Sequence, residues 1–343
     1  NIKHIASIAR IEEERYAWVD RFSIRNLELL YSQFEGGVPL IDILDQTVTP
    51  MGARLMKKWI VLPLKEKAAI DERLKIVESL KNKKLLDDVN HDIKQIGDIE
   101  RLISKVALNR ANPREMLHLK KALVHILPVK NVLTKSKIPY LKKLSGQLNT
   151  CDFLREKIGN ELKEEAPLLT NQGNIFKDGV DKELDELRKI THHGKEILVQ
   201  IQQKESKRTG IPSLKIAYTK VFGYYLEVTN VHKSKVPADW IRKQTLVNAE
   251  RYITEELKEY EEKIINAEEK LIEIEQRLFN ELVISAQDYV AQIQQNARTL
   301  AIIDCLLSFA KIAVKNNYTK PQINDSLAID IKNGRHPVIE QQI

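Results

Sequence analysis

The sequence predicts a mainly α protein: a multi-helix domain whose two long antiparallel helices carry a small β-rich domain at their tip. Three observations predict it. Apolar residues recur every three or four positions through most of the chain, the spacing of amphipathic helices. Gly and Pro are scarce, 12 and 11 in 343 residues, and aromatics are only 6%, too few for an all-β sandwich. One stretch, Ser213 to Thr229, changes to the alternation of strands.

Other classes fall away on the same figures. The longest apolar run, around Ala301–Leu307, is broken by Asp304 and is far short of the ~18–20 residues of a membrane span. The length suits two or three domains. The two cysteines, Cys151 and Cys305, sit in apolar helical patterns without a CxxC, so no disulfide is expected and a reducing compartment fits. The N-terminus, Asn1-Ile2-Lys3-His4, has no Met and no signal-peptide core. The end, Gly334 to Glu340, reads as a turn into a new strand. Both ends are those expected of a segment from a longer chain.

In chain order, residues 1–20 read as a linking strand or short helix, followed by a helix around Ser23–Ser32 that Gly36-Gly37 ends. Leu40–Leu44 is a short apolar stretch. Thr49-Pro50 is a helix start, with Thr49 as N-cap and Pro50 in the first turn, and that helix runs Met51–Val61 until Pro63. Helical patterns follow at Ala68–Ser79, Leu85–Asp92, Ile99–Ala107 and Pro113–Ile126. Two long helices come next, about Asp178–Lys207 and Thr254–Val290. Their apolar residues step alternately by three and four (Val180, Leu184, Leu187, Thr191, Gly194, Leu198, Ile201; Leu257, Tyr260, Ile264, Ala267, Leu271, Ile274, Leu278), as in a heptad seam. Between them, Ser213–Thr219 and Gly223–Thr229 alternate as a hairpin does, with Lys220–Gly223 as the turn. Pro237–Trp240 reads as a short helical turn and Gln244–Asn248 as a third strand.

The net charge of +7 is not spread evenly. From Lys204 to Arg251 there are ten Lys/Arg and four Asp/Glu, a net of +6 in 48 residues, whereas Tyr252 to Ala291 carries eleven acids and four bases. Such segregation is the electrostatic footprint of a polyanion site. Catalytic signatures are missing: no GxxxxGK[ST], HExxH, GxSxG or Cys/His metal spacing occurs, and adjacent His192 and His193 diverge on a helix. The positive chemistry is phosphate contact. Arg242, Lys243, Thr245, Asn248 and Arg251 form a donor-rich run just before the second long helix, with Lys215 and Lys220 on the hairpin. Arg251 leads, because a guanidinium can bridge phosphate oxygens as a fork. The residues alone leave three readings open: a DNA-binding tip, a coiled-coil RNA-binding arm of an enzyme, and a structural spacer for protein contacts.

The motifs narrow this. Asn26-Leu27-Glu28-Leu29 and Leu44-Asp45-Gln46-Thr47-Val48-Thr49-Pro50-Met51-Gly52-Ala53-Arg54-Leu55 resemble the core-domain entry of the bacterial MutS family of DNA mismatch-repair ATPases. Phe222–Val228 and Gln244–Tyr252 resemble its clamp, and Gly334-Arg335-His336-Pro337-Val338 the opening of its ATPase domain. The resemblance implies an end of the connector at 1–20, a core or lever domain at 21–194 and 254–318, a clamp at 195–253, and the start of an ATPase domain at 319–343. It implies a clamp that holds the duplex DNA backbone without reading sequence, through Asn248 and Arg251. The family often has Lys before that Asn; here it is Val247. ATP and Mg2+, a homodimer, a MutL-type partner and a cytoplasmic location are implied for the full-length protein. Mismatch reading and ATP hydrolysis are implied to lie outside this chain, which is expected to bind no cofactor, to cross no membrane and to be no enzyme by itself.

Overall fold

In the computed structural model, residues 15–219, 221 and 223–342 are described. The expectations for residues 1–14 and for Lys220 lie outside them. The chain divides into two compact units, Asn1–Gly159 with Leu282–Ile343, and Asn160–Glu281.

The first unit is a helical bundle of α1 (Arg21–Asn26), α2 (Leu40–Leu44), α3 (Pro50–Val61), α4 (Lys67–Leu80), α5 (Lys83–Ile96), α6 (Ile99–Ala107), α7 (Pro113–Thr134), α8 (Pro139–Gln147) and most of α9 (Asp152–Glu161). The second unit holds α10 (Lys182–Thr209), strands β1 (Lys215–Thr219), β2 (Gly223–Thr229), β3 (Ile241–Thr245) and β4 (Ala249–Ile253), and most of α11 (Glu255–Gln287). The chain then returns to the first unit as α12 (Val290–Lys315).

The bundle is organised around α12, which packs against α3, α4, α5, α6 and α8. A helix so enclosed is largely apolar, and its buried Asn296, Asp304 and Ser308 are each hydrogen-bonded. Asn296 exchanges two hydrogen bonds with the Asn149 backbone, both 2.7 Å. Ser308 accepts from Gln46 N–H and donates to the Leu44 carbonyl, both 2.8 Å. Asp304, fully buried, accepts from Val48 N–H, Thr49 N–H and the Thr49 hydroxyl. The expected helix start is present: Thr49 caps α3 by accepting the Gly52 N–H at 3.0 Å. Gly52 is required there, since a Cβ would sit 2.8 Å from the Asp304 carboxyl carbon.

Three expectations change here. The helix expected over Ser23–Ser32 stops at Asn26, and Glu28 turns the chain with φ +47°. The helix expected to end at Ile126 continues to Thr134 through Pro128. Proline removes the bond to the carbonyl four residues earlier, and that residue, Val124, lies on the exposed side of the helix. The strand expected near the end is instead a short 3-10 turn, Ile339–Gln341.

In the second unit α10 and α11 run antiparallel. Contacts climb one helix as they descend the other: Arg188 meets Glu275, Gly194 meets Ile264, and Lys204 meets Glu256. Gly194 permits the close approach, because a Cβ there would lie 2.5 Å from the Ile264 side chain. Glu275, completely buried, pairs with Arg188 at 2.8 Å and accepts the Ile175 N–H. The sheet closes one end of this pair. Its strand order is β1-β2-β4-β3, all antiparallel. Leu226, Val228 and Tyr252 on one sheet face pack with Leu198 of α10 and Leu257 and Ile264 of α11, with Trp240 and Ile211 completing the core.

Candidate nucleic-acid interface

The donor-rich run is not the approach to a helix, as its sequence suggests. It folds as a β3–β4 hairpin with its turn at Leu246–Asn248, where Leu246 N–H reaches the Ala249 carbonyl at 2.8 Å. The expected strand Gln244–Asn248 is thus the end of β3 and the turn, and a further strand, β4, follows it. The cause is a bulge at Lys243, which breaks the alternation a strand should show. Pro237–Trp240 is a single turn, closed by Trp240 N–H on the Pro237 carbonyl at 3.2 Å, and a 3-10 helix precedes it at Asn230–Lys235.

The hairpin brings together most of the expected residues. Arg242, Lys243, Thr245 and Asn248 are all exposed on it, and Lys215 is exposed on β1. Lys207, Lys215 and Lys243 form no ion pair among the described residues. The Asn230–Lys235 turn lies beside the β3–β4 turn. Asn230 N–H donates to the Asn248 carbonyl at 3.2 Å, and its side-chain amide donates to the Val247 carbonyl at 2.8 Å. This adds Lys233 and Lys235 to the same end of the sheet. It also leaves Val231 and Val247 exposed side by side on the backbone, 84% and 90% accessible.

Arg251 is placed differently from its neighbours. Across the sheet, Lys215, Glu227, Arg251 and Gln244 stand in register, one from each strand. Residues directly opposite share a face, and this face is the one away from the helix-packed core. The Arg251 guanidinium lies 4.3 Å over the Tyr225 ring, donates to Gln244 Oε1 at 2.8 Å and pairs with Glu227 at 3.4 Å. Its side chain is only 18% exposed.

One acid is held on the opposite face. Glu250 is buried, pairs with Lys233 at 2.6 Å, and accepts the Tyr252 hydroxyl. Lys233 first, then Tyr252, hold its carboxyl below the usual glutamate range. Burial, with Glu250 beside it, pushes Tyr252 up to about 12. Arg242 lies 3.6 Å from the same carboxylate, so part of its charge is offset within the tip. Tyr218 and Tyr224 pair with each other, ring centroids 5.0 Å apart, and Tyr224 belongs to the core, so the tyrosines form no base-stacking row.

Among the described residues, no group of three His, Cys, Asp or Glu could hold a metal, and no helix is long and apolar enough to cross a membrane. Both cysteines are buried and unpaired, and burial pushes the Cys151 thiol up to about 11.

Fold and tip define a class: a helical bundle combined with a long helix pair that ends in a small, cation-rich antiparallel sheet. The family model for MutS domain III matches residues 23–310. The chain is 61% identical over its whole length to the DNA mismatch repair protein MutS of Cytophaga hutchinsonii, of which it covers 40%. It is 53% identical to the proteins of that name from Phocaeicola vulgatus, of which it covers 39%, and Bacteroides fragilis, of which it covers 40%. The chain belongs to the MutS family, as its domain III, and spans about two fifths of the length of these curated relatives.

Proposed function

We propose that this chain supplies the lever and DNA clamp of a mismatch-repair protein. The observation that carries this reading is the sheet tip: five exposed residues singled out for phosphate contact (Lys215, Arg242, Lys243, Thr245 and Asn248) gather on one small sheet in a chain of the MutS family. The tip holds cations and amides but no stacking row, which suits the sugar–phosphate backbone and not base edges. The α10–α11 pair supplies stiffness through a heptad seam and a buried Arg188–Glu275 pair.

In this reading residues 195–253 are the clamp, 21–194 and 254–318 the lever, 1–20 the end of a connector, and 319–343 the start of an ATPase domain. Mismatch reading, ATP and Mg2+ binding, ATP hydrolysis, dimer formation and contact with a MutL-type partner belong to the longer protein, acting in the cytoplasm.

The test is duplex binding by the purified chain across a salt series. It should bind matched and mismatched duplexes equally and weakly, with affinity falling steeply as salt rises. Arg242→Ala with Lys243→Ala should weaken binding about ten-fold or more and lower the salt slope by about 2, one unit per phosphate contact. Tighter binding to structured RNA than to duplex DNA, or a clear mismatch preference, would contradict the assignment.

A further inference from the structure

Arg251 is the residue the sequence marks most strongly for phosphate, yet its charge is already answered inside the protein. Its partner, Glu227, sits on the adjacent strand in direct register and reaches it through one contact of 3.4 Å. The two other supports of the guanidinium are neutral: the Tyr225 ring below it and the Gln244 amide oxygen beside it. Its remaining N–H groups have no partner among the described residues.

We propose that Glu227 is an internal competitor for the phosphate site on Arg251, so that backbone docking there is an exchange of carboxylate for phosphate. The inference rests on the clamp reading above and refines it. The exchange is easy in this geometry. Tyr225 and Gln244 keep the guanidinium in place when the carboxylate leaves, so Arg251 presents a pre-positioned fork. Glu227 is about a third exposed, and an ion pair of that exposure contributes little to stability. A departing carboxylate also has a second cation to meet. Lys215 stands directly opposite Glu227 on β1 and has no ion pair of its own. Such competition lowers the affinity of any one docked position and shortens its life. That is the behaviour a backbone-holding surface needs if it is to move along a duplex.

The test compares four forms of the chain on one matched duplex at fixed salt: unchanged, Glu227→Gln, Arg251→Gln, and the double variant. Glu227→Gln keeps size and hydrogen bonding but removes the competing charge. It should tighten binding about two- to five-fold, the scale of an exposed ion pair, and slow dissociation. That gain should vanish in the Arg251→Gln background. Glu255→Gln, at an exposed acid on the adjoining turn of α11, reports generic charge removal, and any gain from it should persist in that background. The Arg251 Nε–H resonance supplies a second readout. It should shift on adding duplex to the unchanged chain, and should start from a different position in Glu227→Gln, where an uncharged amide oxygen replaces the carboxylate as its acceptor. Duplex binding that Glu227→Gln leaves unchanged or weakens, or a gain that survives loss of Arg251, overturns the competition while leaving the clamp reading intact. No duplex binding by the unchanged chain and Glu227→Gln alike overturns the clamp reading and the competition with it.

Discussion

The two units each take a carboxylate out of water, and they do so in opposite ways. In the bundle, Asp304 is answered by two backbone N–H groups and a hydroxyl, without an ion pair at the carboxylate. Burial dominates, and its pKa is raised. At the sheet tip, Glu250 is answered by Lys233 and Tyr252, and its pKa is lowered. The difference teaches what each acid is for. Asp304 ties the backbone of Val48 and Thr49 to α12 and so sets the start of α3. Glu250 neutralises part of a cation cluster that would otherwise repel itself, leaving the outward cations free.

The largest expected effect breaks the bundle side of this comparison. Asp304→Ala leaves the Val48 and Thr49 N–H groups buried without acceptors, which should cost about 3–5 kcal/mol. Urea unfolding measures the loss, and a cost below about 1 kcal/mol would show that the loop is not held this way. Duplex affinity per folded molecule should not change.

Next comes the helix pair. Alanine at an exposed helical glycine normally stabilises by up to about 1 kcal/mol, but at Gly194 the new methyl meets Ile264. Gly194→Ala should therefore destabilise by about 1–2 kcal/mol, the range of over-packed cores. Ile264→Ala in the same chain should cancel part of that penalty in a double-mutant cycle.

The smallest effect sharpens the contrast by pH. Glu250 has a lowered pKa in the fold, so the unfolded chain binds more protons as pH drops below about 4.5. Its contribution to tip stability is present above that value and lost as pH falls through its lowered one. Asp304 has a raised pKa, so its contribution has the opposite sign: favourable below about 3.8 and lost as pH rises through the raised value. Hydrogen exchange on acidification from pH 5 should thus open β4 before the start of α3. The reverse order would contradict the assignment.

These details differ in how far the sequence foretold them. Thr49-Pro50 announces α3 because capping chemistry is local. The seams of α10 and α11 are legible because helical spacing repeats over many turns, and Gly223 marks the first hairpin by its turn chemistry, with φ +70°. The β3–β4 hairpin was hidden, since a bulge at Lys243 and a buried Glu250 disrupt the alternation that reveals strands. The continuation of α7 past Pro128 was hidden because it depends on which side of the helix meets water. At the site, residue types sufficed to find the cations. They could not show that Arg251 is held by Glu227, a contact made only when β4 inserts between β2 and β3.

The central claim, that this chain meets duplex DNA through its sheet tip, is tested most directly by hydrogen-exchange footprinting with and without a matched duplex at low salt. The account predicts protection confined to residues 241–253, the adjoining 230–235 turn and β1, fading as salt rises. Protection centred on the bundle helices, or none at the tip while DNA remains bound, would contradict it.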